Sequence, residues 1–75
     1  KKLDEFFQEL TDEQIEQAYH ENEEWRKSGV LQDGVLRNLY SDFTDQNYSN
    51  SFPIHLISEP LLYELIKRYR KLLNK

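Results

Sequence analysis

The chain reads as an all-α protein: one small four-helix domain over residues 1–75, with a long, partly ordered connection before its C-terminal helix. Three observations carry that reading. Apolar residues recur at helical spacing in four stretches, two of these open with the same kind of capping sequence, and only two glycines and two prolines interrupt 75 residues.

The first stretch, residues 2–10, holds Leu3, Phe6, Phe7 and Leu10 at i, i+3, i+4, i+7, one stripe of a short helix. Thr11-Asp12-Glu13-Gln14 then forms a capping box, with Leu10 and Ile15 placed as a hydrophobic staple, so a second helix spans about 12–27. Its inner face is Ile15, Ala18, Tyr19 and Trp25, and Ser28-Gly29 supplies the stop, with Arg26 and Lys27 in the last turn. Val35, Leu36, Leu39, Tyr40 and Phe43 mark a third helix near 33–43, whose first turn Gly34 weakens.

Residues 44–52 are turn formers, and Pro53 biases Phe52 away from helix. A connection of that length in a compact domain signals either function or a missed element, and Pro53-Ile54-His55-Leu56-Ile57 is apolar enough to supply a short helical turn. Ser58 is expected to cap the fourth helix, 59–73, with Pro60 in its first turn. At about 100° per residue, Leu61, Leu62, Leu65, Ile66, Tyr69, Leu72 and Leu73 share an arc of roughly 140°, so this whole side is expected to be buried.

The composition removes several classes of function. No cysteine means no disulfide and no thiolate metal site, and two histidines are too few for a structural zinc centre of their own. No apolar run nears the roughly 20 residues of a membrane span, and the first ten residues lack a signal-peptide pattern. A start at Lys1 rather than Met leaves processing, or excision from a longer protein, open. There is no GxSxG, no glycine-rich phosphate loop and no candidate nucleophile constellation, which argues against an enzyme. A cytoplasmic protein without cofactor or metal is the expectation.

Charge is unevenly placed in a chain whose net charge is -4. Residues 3–24 carry Asp4, Glu5, Glu9, Asp12, Glu13, Glu16, Glu21, Glu23 and Glu24 without a single Lys or Arg. Residues 59–75 carry five bases against two acids. On the last helix Tyr63, Lys67 and Arg70 form a ridge at i, i+4, i+7, with Arg68 and Lys71 beside it, and Tyr and Arg are the residue types enriched where proteins bind one another. These five residues are the candidate partner-binding site. The competing reading is a solvated face whose cations complement the helix dipole.

Another protein is the expected partner. The alternative is a small nucleic-acid-associated regulator using the same basic helix, against which stands the acidic first third of the chain. A membrane surface is not expected, and self-association is open because the apolar arcs are wide for one small core. Weaker candidates are His20 between Glu16 and Glu24, His55 as a packed histidine, and the glycosylation-type triplet Asn47-Tyr48-Ser49. Asn22, inside the second helix's apolar stripe, either sets register or lies at the stripe's edge. Trp25 anchors either the core or a partner.

Overall fold

A computed structural model describes residues 2–47 and 53–74. The order of elements is α1 (Leu3–Gln8), α2 (Asp12–Ser28), α3 (Val35–Asn47), a short 3-10 turn (Ile54–Ile57) and α4 (Ser58–Leu73), with no strand among the described residues. The protein is all-α. Its core joins Phe6 and Phe7 of α1, Ile15 and Ala18 of α2, Leu36 and Leu39 of α3, Ile57, and Leu61 of α4. Phe6 meets Phe43 edge to face at 5.9 Å between ring centroids, which ties α1 to α3.

The ends of α2 form as their sequence dictates. The Gln14 N–H donates to Thr11 Oγ1 at 3.1 Å and Gln14 Oε1 accepts the Thr11 N–H at 2.8 Å, satisfying two groups at the helix start. At the other end Gly29 sits in the left-handed region, φ 78°, and its N–H reaches the Trp25 carbonyl at 2.8 Å. Trp25 itself is half-buried against the core.

The start of α3 has a different origin. Gly34 has no side chain to cap the helix, and its carbonyl accepts the Asn38 N–H at 3.0 Å. The missing acceptor comes from α2: Glu21 takes the Val35 N–H on Oε2 at 3.2 Å and the Leu36 N–H on Oε1 at 3.0 Å, and Gln17 Nε2 donates to Oε2 at 2.9 Å. Glu21 is therefore buried, unlike the solvated acids around it. Gly34 is the residue that lets it approach, because a Cβ there would collide with Glu21 Oε2 and lie 2.7 Å from Cδ. What reads in sequence as a weak first turn is the point where the Glu21 carboxylate comes close, and a side chain there would displace it.

Three further expectations are corrected. Residues 44–47 continue α3 rather than starting the connection, and within it the Thr44 hydroxyl donates back to the Ser41 carbonyl at 3.1 Å. Ser58 does not cap α4. The 3-10 turn runs directly into it with Ser58 already helical, and the hydroxyl donates instead to Asn22 Oδ1 at 2.6 Å. His55 is exposed rather than packed, since Ile57, not His55, points into the core from that turn. The expected short turn itself forms. Tyr48, Ser49 and Phe52 lie outside the described residues, so the triplet beginning at Asn47 is described only as far as the end of α3.

Two contacts set α2 against α4. Ser58 at the start of α4 meets Asn22, while Arg68 meets Asp12 at the start of α2, so the two helices run antiparallel. Residues 69–73 consequently outrun α2 by about one and a half turns, roughly 8 Å.

Candidate docking surface

The surface is made by how α4 is rotated. Its apolar arc centres near Tyr69, yet the side turned inward carries Leu61 and Glu64, both buried, with Leu65 and Arg68 partly covered. A charged pair has taken the place that the arc would otherwise fill. Arg68 Nε donates to Glu64 Oε2 at 2.8 Å, one guanidinium NH2 group reaches Asp12 Oδ1 at 3.0 Å, and the other reaches the Leu10 and Phe7 carbonyls at 2.7 and 3.2 Å. These carbonyls belong to the end of α1 and the turn after it, where helical bonding runs out; that of Phe7 also accepts the Leu10 N–H at 3.2 Å.

Glu64 is held from both sides, with Lys67 Nζ at 3.1 Å from Oε1. Burial pushes its carboxyl up, but the hydrogen bonds from Arg68 and Lys67 and the charges behind them outweigh burial and hold it below its ordinary value of 4.5. Glu64 therefore stays ionised at neutral pH, and the pair joins α4 to the α1–α2 turn in the observed rotation. Removing either member would leave a charge in a poorly solvated place.

The consequence lies on the other side. Ile66 is 57 % exposed, Tyr69 61 %, Leu72 63 %, Leu73 67 % and Tyr63 63 %, in a helix whose arc was expected to be buried throughout. That expectation holds for Leu61 alone, with Leu62 and Leu65 half-buried. Five large side chains on three turns form one exposed strip of the kind that marks interaction sites. Beside it Lys67 Nζ lies 5.7 Å from the centroid of the Tyr63 ring, and Tyr63, Ile66, Arg70 and Lys71 line an open cleft of about 700 Å³.

Of the five residues singled out from sequence, Tyr63, Lys67, Arg70 and Lys71 are exposed along this strip. Arg68 is placed apart from them. Its side chain is only 21 % exposed and its donors serve Glu64, Asp12 and the α1–α2 turn. The apolar members, Ile66, Tyr69, Leu72 and Leu73, are visible as spacing, but the sequence predicts them buried and the structure leaves them exposed. Exposed apolar residues and core residues leave the same periodicity in a sequence.

The other candidates do not build a site. His20 lies 3.3 Å from Glu16 with both side chains 64 % exposed, and no three His, Asp or Glu side chains converge as metal ligands among the described residues. Asn22 is fully buried: its Oδ1 accepts from Ser58, while Nδ2 has no hydrogen-bond partner among the described residues. It sits inside the α2–α4 contact, not at its edge. No described helix is long and apolar enough to cross a membrane.

What fold and surface define together is a small all-α domain with an uncovered helix strip. No protein-family model, curated protein or solved structure matches the chain.

Proposed function

We propose that the chain is a non-enzymatic protein-interaction module of the cytoplasm, docking through the second half of α4. The single observation that carries this is the exposed strip of Tyr63, Ile66, Tyr69, Leu72 and Leu73 beside the cations of Lys67, Arg70 and Lys71. Apolar and aromatic side chains supply the area that leaves water, and flanking charges supply orientation and choice of partner. Arg68 acts from behind this surface by fixing the helix rotation.

With no cysteine the chain depends on no disulfide, so a reducing compartment is compatible with it. The runner-up, a nucleic-acid-associated regulator, would use only the cations and leave the apolar strip without a role.

Immobilised chain should retain a protein that the Lys67→Ala/Arg70→Ala variant and the Ile66→Asp variant both fail to retain. Ile66 and Arg70 take no part in the Glu64–Arg68 cluster, so Ile66→Asp and Arg70→Ala alone should melt within a degree or two of the parent, while the double variant also gives up the Lys67 contact to buried Glu64 and should melt a few degrees lower. Unchanged retention by both variants would remove the strip from the function. Titration of labelled duplex DNA and single-stranded RNA at two salt concentrations provides the other arm: steeply salt-dependent binding would favour the runner-up.

A further inference from the structure

We propose that the occupant of this surface is a second copy of the chain, with the two α4 helices pairing antiparallel across a twofold axis at the level between residues 67 and 68. The inference rests on the docking function above and names its partner.

The first argument is spacing. Leu62, Ile66, Tyr69 and Leu73 follow one another by four, three and four residues, the step pattern of a seam between paired helices. Three of the four are more than half exposed and Leu62 is partly so. An antiparallel register that sets Leu62 against the partner's Leu73 and Ile66 against the partner's Tyr69 fills all four layers, each twice satisfied by symmetry.

The flanks decide the direction. One side of the seam carries Leu65 and Leu72, the other Tyr63 and Arg70. In an antiparallel twofold pair each flank meets its own copy reversed, so Leu65 meets the partner's Leu72, and Tyr63 meets the partner's Arg70. That places a guanidinium over an aromatic ring at both ends, an arrangement Lys67 already shows within one copy at 5.7 Å. A parallel pair would press the Tyr63 and Arg70 flank onto leucines and leave Arg70 facing an apolar surface with nothing to receive its donors.

The overhang points the same way. Helix α2 lies beside residues 58–68 of α4, while residues 69–73 extend beyond its start with Leu72 and Leu73 largely exposed. With the axis between 67 and 68, each body falls alongside the other copy's overhang and the two bodies occupy different levels. A parallel pair sets both bodies at one level and leaves both overhangs bare. Asp12, which arrives near the axis, brings its own counter-ion, since Arg68 holds it at 3.0 Å.

Four layers make a weak dimer, with a dissociation constant on the order of 10 to 100 μM. Sedimentation equilibrium from about 10 μM to 1 mM should show the mass rising from the 9.1 kDa monomer towards twice that value. Ile66→Glu and, separately, Tyr69→Glu should weaken association at least tenfold with unchanged helix content by circular dichroism. The chain has no cysteine, so a spin label on Asn74→Cys reports orientation cleanly. The antiparallel register holds the two labels about 20 Å apart along the helix axes, whereas a parallel pair brings them side by side. A dimer that survives Ile66→Glu, or one with the labels side by side, overturns the proposal. A chain that stays monomeric at 1 mM also overturns it, and retention of a foreign protein that Ile66→Asp abolishes would then show the docking function standing without self-pairing.

Discussion

Glu21→Ala tests whether α3 begins where it does because of a side chain on another helix. The substitution removes the acceptor from two backbone N–H groups at once, those of Val35 at 3.2 Å and Leu36 at 3.0 Å. Leu36 is fully buried, so water has little access to its amide, while Val35 is half-buried and its amide is more easily hydrated. Hydrogen bonds to a charged acceptor contribute about 1.5–3 kcal/mol each, and one of the two is partly replaced by solvent, which gives a loss of about 3 kcal/mol. For a chain of this size that is a fall in melting temperature of roughly 12 to 24 °C. Urea unfolding followed by circular dichroism, with Trp25 fluorescence as a second probe, measures it. The sharper test is the cycle with Gly34→Ala. That change alone should destabilise by about 1–2 kcal/mol by displacing the Glu21 carboxylate, but only by a few tenths once Glu21 is already Ala, because the collision has gone. If Gly34→Ala has the same effect in both backgrounds to within about 0.3 kcal/mol, the close approach is not what makes glycine necessary.

Three other outcomes follow from the same contacts. Arg68→Ala should lower stability by about 2–3 kcal/mol by stripping Glu64 and the α1–α2 turn of their donor, and Arg68→Lys should recover little, since an ammonium cannot fork to these acceptors; urea midpoints compare them. Because Glu64 is held below its ordinary 4.5 in the folded chain, its contribution is present above that value and drains away as pH falls through the lower folded value. Glu64→Gln should therefore flatten the acid limb of a stability–pH curve below about pH 4.5, and an unchanged limb would contradict the pairing. Ser58→Ala should destabilise by about 1 kcal/mol by leaving Asn22 Oδ1 buried without its donor, whereas Asn22→Leu combined with Ser58→Ala should be neutral or stabilising in the same unfolding measurement.

Local signals were legible in the sequence and contacts between helices were not. The capping box at Thr11, the stop at Gly29 and the turn before α4 depend on residues within four positions of one another, and all three form. The start of α3 depends on Glu21, 14 residues back, which sits in a run of acids that otherwise face water. Nothing in that run distinguishes it until Gly34 is seen to have no Cβ at the point of contact. Ser58 illustrates the reverse error: its position before Glu59 and Pro60 fits a cap, but the preceding residues were themselves helical and its hydroxyl went to another helix. The candidate site divided similarly, with Tyr63, Lys67, Arg70 and Lys71 found on the surface that charge pattern suggested and Arg68 drawn inward by the carbonyls of Phe7 and Leu10, some sixty positions earlier in the chain.

The inward turn of Arg68 and the outward turn of Ile66, Tyr69 and Leu73 are one event. If apolar burial alone set the rotation of α4, the arc centred near Tyr69 would face the core, and its observed orientation differs from that by roughly 80°. The turn leaves several large apolar side chains more than half exposed, each forgoing part of the roughly 1.5–3 kcal/mol that full burial gives. Glu64 and Arg68 do not offset that by being paired, since such pairs stabilise little relative to apolar residues of the same volume. They mark the observed rotation, in which Arg68 reaches Glu64, Asp12 and the Phe7 and Leu10 carbonyls together, contacts that a turn of that size would break. A chain of 75 residues has few apolar side chains to leave uncovered, so a helix turned this way is explicable if something else covers the strip in the working state. The charge pair inside and the apolar strip outside arise from one rotation of α4, and the docking proposed above would give the strip the cover that the domain itself does not supply.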